Sequence, residues 1–244
     1  MSPAWAALGW GLAAGAALPL GAAAGCWLKL PQRAVAAVMA FGSGTLLAAL
    51  SLILIQDAYQ GASFAMTALG FLAGAAIYTA ADLAIRWRSG KRHASPAKDG
   101  PAESGLAIAA GSFIDNIPEG VVIGMSAIGG AVNPVILVAV FISNFPEALA
   151  SAARMREARW SALRVFAVWI PIGIACGLAS LSGHAVFSGL SAAEIALTQA
   201  IAAGAILAML ADTLIPQAFE GAHDYSGLIM ALGFLLAFGL NKAA

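Results

Sequence analysis

Charge is what this sequence has least of. Only 10% of the 244 residues are Asp, Glu, Lys or Arg, against roughly 25% in a soluble domain. No charged residue occurs in 1–28, 34–56, 120–146, 165–193 or 225–241. These runs exclude an ordinary soluble domain, since a helix needs only about 20 apolar residues to cross the hydrocarbon core. Cysteine is scarce too. Cys26 and Cys176 are far apart in apolar segments, which fits small core residues and excludes a disulfide framework or a thiolate metal site. No basic patch with interleaved aromatics is present, which excludes nucleic acid as a partner. The opening "MSPAWAALGW" has no basic residues and reads as the start of a first span rather than a cleaved signal peptide.

What is there is apolar side chain: 61% of residues are hydrophobic and the mean hydropathy is +0.88. The expected fold is an all-α integral membrane protein forming one transmembrane domain over 1–244. Helices are required because lipid offers backbone polar groups no other partner. Eight spans are expected at 4–27, 34–56, 63–86, 104–128, 132–154, 162–183, 193–218 and 225–241, with a cytoplasmic loop at 87–103. Lys29 and Arg33 follow the first span. Arg86, Arg88, Lys91, Arg92 and Lys98 follow the third, and Arg154, Arg156, Arg159 and Arg164 surround the fifth-to-sixth connection. With eight spans these all fall on one side and Lys242 alone on the other, which makes the populated side cytoplasmic. The expected location is a bacterial inner (plasma) membrane with both termini outside.

The chain also repeats itself. "IQDAYQGA" at 55–62 and "IPQAFEGA" at 215–222 are identical at four of eight positions, and each is followed by "LGFL", at 69–72 and 232–235. The two copies end spans that run in opposite directions, the pattern of an inverted repeat. Transporters built this way bind substrate near the midplane on interrupted helices.

Polar residues gather in two places. "DNIPEG" (115–120) and "SNFPEA" (143–148) share N-x-P-E near the centres of the fourth and fifth spans. Asp115 and Glu119 are four residues apart and share a helix face, as do Ser143 and Glu147. Pro118 cannot donate to the carbonyl of Ile114, nor Pro146 to that of Ile142. An ionised carboxylate at this depth costs several kcal/mol unless compensated, and every basic residue lies in a loop or at a helix end. The acids are therefore protonated or met by a cation. Carboxylates, amide oxygens, a hydroxyl and freed carbonyls are the donors of a divalent metal site. Asp115, Asn116, Glu119, Ser143, Asn144 and Glu147 are its expected ligands. Asp212, one turn before Pro216, is balanced between a transport-pathway residue and an interhelix contact. Asp57 reads as interfacial, with a vestibule role as the minority view.

Other polar residues read more plainly. Asp82 precedes Arg86 by four residues, a helix-end ion pair. His93 sits in the basic loop and reads as solvated, His184 lies in an outer loop, and His223 with Asp224 lies in an inner loop, where solvation is favoured over collecting a metal. The methionines read as packing.

On these motifs the chain resembles the ZIP (Zrt-, Irt-like protein) family of divalent-metal transporters, as a divergent prokaryotic-type member. "AFGSGTLL" (40–47), "LGFLAG" (69–74), "WIPIG" (169–173) and "GAILAMLADTLIPQA" (204–218) extend the similarity along the chain. The resemblance implies eight helices in a 3+2+3 arrangement with both termini outside. It also implies carriage of zinc, iron, manganese or a similar ion into the cytoplasm, with spans one, four, five and six moving against the rest. The chain departs from the family at several positions. Asp115 replaces the usual His, Ser143 a common Gln or His, and neutral Asn144 a frequent Asp. Ile170 stands where Glu often precedes Pro-x-Gly, and Ala211 and Asp212 stand where His-Glu often occurs. The second metal position of some members has thus lost its acids. The remaining all-oxygen set is harder than the family norm and admits manganese, iron or magnesium.

The expected function is therefore divalent-cation transport, not enzymatic catalysis, with the metal as substrate and no cofactor. Lipid is an expected partner, and a homodimer is left open. The alternatives are an ion- or proton-coupled carrier of a small organic cation, an intramembrane acid–base enzyme, and a membrane-structural protein. Six oxygen-bearing side chains at one spot suit a bare ion better than a bulky amine. No nucleophile–base pair supports the enzyme.

Overall fold

The computed structural model describes residues 2–28, 30–88, 101–129, 132–222 and 224–243. Lys29, the loop positions Lys91, Arg92, His93 and Lys98, and His223 lie outside them, as does the side chain of Arg86 expected to pair with Asp82. Among the described residues every regular element is helical. The α-helices are α1 (Pro3–Gly15), α2 (Ala17–Trp27), α3 (Gln32–Ala49), α4 (Ile55–Gly61), α5 (Phe64–Arg88), α6 (Pro101–Ser126), α7 (Pro134–Glu157), α8 (Ala162–Phe187), α9 (Ala192–Met209), α10 (Ile215–Ala222) and α11 (Ser226–Ala243).

Seven helical runs among these residues are long and apolar enough to cross a membrane: Pro3–Trp27, Gln32–Gly61, Phe64–Ala84, Pro134–Glu157, Ala162–Phe187, Ala192–Phe219 and Ser226–Ala243. The protein is thus an all-α membrane protein by the length and composition of its helices. Helix α6 is as long, at 26 residues, but Ser112, Asp115, Asn116 and Glu119 at its centre make it less apolar.

Local chemistry accounts for the helix ends and bends. Asn133 caps α7 by accepting from the Val135 and Ile136 N–H groups, and Ser191 with Glu194 forms a capping box on α9. The turn from α7 to α8 is closed by Trp160 N–H donating to the Met155 carbonyl and Arg159 N–H to that of Arg156, with Arg159 at φ 61°. This is the Schellman arrangement, with Arg where glycine is usual. The first span bends at Ala16, one turn into which Pro19 leaves the Gly15 carbonyl without its helical donor.

The helices expected to be interrupted are continuous. α6 runs through Pro118 and α7 through Pro146 without a break, because losing one helical hydrogen bond does not unwind a helix packed on both sides. The interruptions fall elsewhere. A π-helical turn, Leu50–Leu54, separates α3 from α4, and another, Leu210–Leu214, separates α9 from α10. Each sits immediately before a copy of the repeated segment. Pro216 is not the cause, since the first π turn forms with no proline near it.

The most extensive packing joins α2 to α7, α6 to α8, α3 to α11, α5 to α9 and α1 to α8, with α6 against α7 between them. Two glycines make the outer pairs possible. A Cβ on Gly44 would lie 1.9 Å from the Met230 carbonyl oxygen of α11, and one on Gly204 would lie 1.8 Å from the Phe71 carbonyl oxygen of α5. Both precede the repeated segment by the same distance in sequence. Small residues allow such backbone approach, and in lipid close packing has to supply the attraction that the hydrophobic effect supplies in water. Leu69, Leu72 and Ile77 of α5 and Leu228, Leu232 and Leu235 of α11 are exposed, which marks the lipid-facing sides. The main core lies inside, where Leu46, Leu50, Ile206, Leu210 and Leu214 meet Ile123 and Val140.

The helix for residues 162–187 extends beyond its expected end. His184 therefore lies in the last turn of α8 rather than in an outer loop, and it is 8% exposed. The reason is that Ser188 N–H still donates to the His184 carbonyl, while α6 packs against that turn through Gly124, beside Ser180 and His184.

A branched side chain at Gly44 or Gly204 will force two backbones apart, at a cost of about 1–3 kcal/mol or more. Gly204→Val and Gly44→Val should each lower the thermal unfolding temperature of the purified protein in detergent. Gly9→Val, where nothing lies within 4 Å, should leave it unchanged.

Candidate functional site

Helices α6 and α7 bring all six expected ligand residues into one buried region. Ser112, Asp115, Asn116 and Glu119 follow one another at i, i+3, i+4 and i+7, which places them on one face of α6. Ser143, Asn144 and Glu147 form the matching face of α7. None of Asp115, Asn116, Glu119, Ser143, Asn144 and Glu147 is more than 2% exposed.

The two copies of the motif meet through their asparagines. Asn144 Nδ2 donates to Asn116 Oδ1 at 3.2 Å, and Asn116 Nδ2 donates back along its own helix to the Ser112 carbonyl at 2.7 Å. Each carboxylate then has a different hydroxyl. Tyr78 donates to Asp115 Oδ1 at 2.8 Å, Ser112 to Glu147 Oε2 at 2.5 Å, and Ser143 to Glu119 Oε1 at 3.5 Å. The Ser143 contact is long, and its hydroxyl also reaches the Val140 carbonyl at 3.0 Å.

Three acceptors are left over. Asp115 Oδ2, Glu119 Oε2 and Asn144 Oδ1 are buried with no hydrogen-bond partner. Buried polar atoms are rarely left so, and here all three are electron-rich oxygens in one region. The charges acting on Asp115 come from Glu147 and Asp82, and those on Glu119 from Glu147 and Asp115, all of them acidic. Chemically this is a place short of positive charge.

Among the described residues no three His, Cys, Asp or Glu side chains are grouped closely enough to hold one metal ion. The two observations differ in range. Carboxylates feel one another across several ångströms of low-dielectric interior, whereas coordination requires oxygens within about 2.0–2.6 Å of one ion. The acids are neighbours, each tied to its own hydroxyl.

The weaker sequence expectations separate. Asp57 is exposed and lines a cavity of about 500 Å³ together with Ser126, Asn133, Gln199 and Asn241. That cavity reaches Val122, one turn beyond Glu119 on α6, and Ile136, two turns before Ser143 on α7. Asp212 is exposed on the second π turn and does not join the acids of α6 and α7. Asp224 is exposed. Cys176 is buried beside Gly15 and Gly120, Cys26 is partly buried, and both are free.

No protein-family model matches this chain, and no curated protein matches it either.

Sequence reasoning missed Tyr78, Ser112 and Thr213. Ser112 carried a signal, because it completes the i, i+3, i+4, i+7 face of α6. Tyr78 and Thr213 carried none. They reach the site from α5 and from the π turn after α9, and only packing brings them there.

The Ser112 hydroxyl serves Glu147, so removing it leaves a buried carboxyl oxygen unsatisfied at a cost of about 1–3 kcal/mol. Ser112→Ala should lower thermal stability, and should do so less when Glu147→Gln is already present. Strict additivity in this double-mutant cycle would show that the pair does not interact.

Proposed function

We propose that this protein carries divalent metal cations across the membrane through the α6–α7 site. The observation that carries the reading is the set of three buried oxygens, Asp115 Oδ2, Glu119 Oε2 and Asn144 Oδ1, which find no donor and, for the two carboxylates, no basic side chain among the described residues. A cation is the partner that such oxygens lack. Full burial of all six residues favours a bare ion over a bulky amine. On binding, Glu119, Glu147 and Asp115 exchange hydroxyl neighbours for the ion, with Asn144, Asn116 and Ser143 as neutral oxygen donors.

In this reading α6 is an eighth span and the chain is a 3+2+3 bundle with an inverted repeat, as in the ZIP resemblance. Several features support it. The π turns precede equivalent segments, Gly44 and Gly204 occupy equivalent places, and the pairing of α3 with α11 mirrors that of α9 with α5. Likewise the pairing of α2 with α7 mirrors that of α8 with α6. The basic residues then face the cytoplasm and both termini lie outside. The polar cavity around Asp57 becomes the outer vestibule, closed from the site by Val122 and Ile136. Transport proceeds by alternating access, the unit of the first, fourth, fifth and sixth spans moving against the other four. In that scheme Asp212 belongs to the inner pathway.

Reconstituted in liposomes, the protein should take up at least one of zinc, manganese and iron(II). Glu119→Ala with Glu147→Ala should abolish both uptake and equilibrium binding. Unchanged binding in the double variant would sink the site assignment.

Asp115→His should move the preference toward zinc, because imidazole is a softer donor than carboxylate. Competition between zinc and manganese in the same liposomes measures this. A ranking that does not move would remove Asp115 from the ligand set.

A further inference from the structure

One group at the site belongs to neither motif. Tyr78 is 5% exposed, projects from α5, and donates to Asp115 Oδ1 at 2.8 Å. The same hydroxyl lies 3.3 Å from the Thr213 hydroxyl in the π turn that follows α9. Three helices from different parts of the chain therefore meet at one oxygen. A phenol has a single proton to give. It goes to the carboxylate, the stronger acceptor, which leaves the phenol oxygen to accept from Thr213.

This arrangement does two things to Asp115. It occupies Oδ1 with a fixed donor and leaves Oδ2 buried and unpartnered. It also sets the rotation of the carboxylate, since the phenol ring is held by packing in α5 and its oxygen by the Thr213 contact. Groups that hydrogen-bond a metal-binding carboxylate from behind orient it, and their loss typically costs 10–100-fold in metal affinity or activity. Among the described residues no other side chain hydrogen-bonds Asp115 to fix it. Asp and Tyr also differ in how they can be replaced. Tyr78→Phe removes one hydroxyl and keeps the ring, so packing in α5 is retained.

We propose that Tyr78 is a positioning residue: its hydroxyl, held between Asp115 and Thr213, aims Asp115 Oδ2 at the transported cation and ties that ligand to α5 and the π turn after α9. This rests on the cation-transport reading above. It assigns the π turn a part in the site, because the extra residue of a π turn shifts the side chains that follow the normal helical face, and Thr213 is one of them. It also places the tie between α6, on the proposed moving unit, and α5 and α9 on the other.

The test is a double-mutant cycle on full-length protein, with zinc(II) and manganese(II) as the probes and equilibrium binding as the readout. Wild type is measured beside Glu119→Gln, Tyr78→Phe, Asp115→Asn and the Tyr78→Phe, Asp115→Asn pair, each also checked by thermal unfolding. Tyr78→Phe should weaken binding by about 10-fold or more, with a fall in unfolding temperature comparable to that of Ser112→Ala, which likewise strips one buried carboxyl oxygen of its donor. In the Asp115→Asn background the same substitution should change affinity little, because Tyr78 acts through Asp115. Thr213→Val should weaken binding in the same direction and by less. Wild-type binding that is lost in Glu119→Gln but unaltered in Tyr78→Phe would overturn this inference and leave the transport reading standing. So would a Tyr78→Phe effect of equal size with and without Asp115, which is what a purely structural role produces. Absence of binding by the wild type to either probe would overturn both.

Discussion

An apolar helix bundle can hold a carboxylate only if something compensates it, and this protein holds three with no basic side chain acting on them among the described residues. Desolvating a charged group costs several kcal/mol, and partial compensation comes from hydroxyls. Tyr78, Ser112 and Ser143 each serve one acid, and the Asn144–Asn116 hydrogen bond locks the two helices in register around them. The compensation stops short, with three oxygens left unsatisfied. A fold selected for stability alone would place leucine at these positions. Under the proposed function, incomplete satisfaction is what lets the site accept a cation and release it.

The rest of the bundle serves to keep that region dry and in register. In lipid, helices gain little from hiding apolar surface from one another, so attraction comes from close packing. Gly44 and Gly204 let α3 meet α11 and α9 meet α5 at backbone distance. The central helices, α6 and α7, are clasped in turn by α8 and α2. The two outer pairs resemble each other in their glycines, their π turns and their partners. Under the proposed inverted repeat this is one design used twice in opposite senses. Under the proposed function, the two similar halves would open in turn to either side.

The π turns show how a local irregularity can reach a site from a distance. Thr213 lies two residues before the repeated segment at 215–222, yet its hydroxyl meets that of Tyr78, which holds Asp115. The corresponding turn at Leu50–Leu54 carries Leu and Ile side chains with one serine, Ser51, and contributes Ile53 and Leu54 to the wall of the polar cavity instead. Equivalent backbone irregularities thus face the site in one half and the approach to it in the other.

The sequence by itself determined that the chain is helical and membrane-embedded, since its charge-free runs leave no other way to satisfy the backbone. It also determined which residues of α6 and of α7 share a face, because a helix puts residues at i, i+3, i+4 and i+7 on one side whatever surrounds it. Periodicity is a local property and is legible one residue at a time. The tertiary structure decided what periodicity cannot express. It kept α6 and α7 continuous through Pro118 and Pro146 and put the irregular turns before the two copies of the repeated segment. It extended α8 to bury His184, left Asp212 exposed, and recruited Tyr78 and Thr213 to Asp115. These outcomes depend on which helix lies against which. Contact across helices far apart in sequence is set by packing in three dimensions, and no spacing along the chain encodes it.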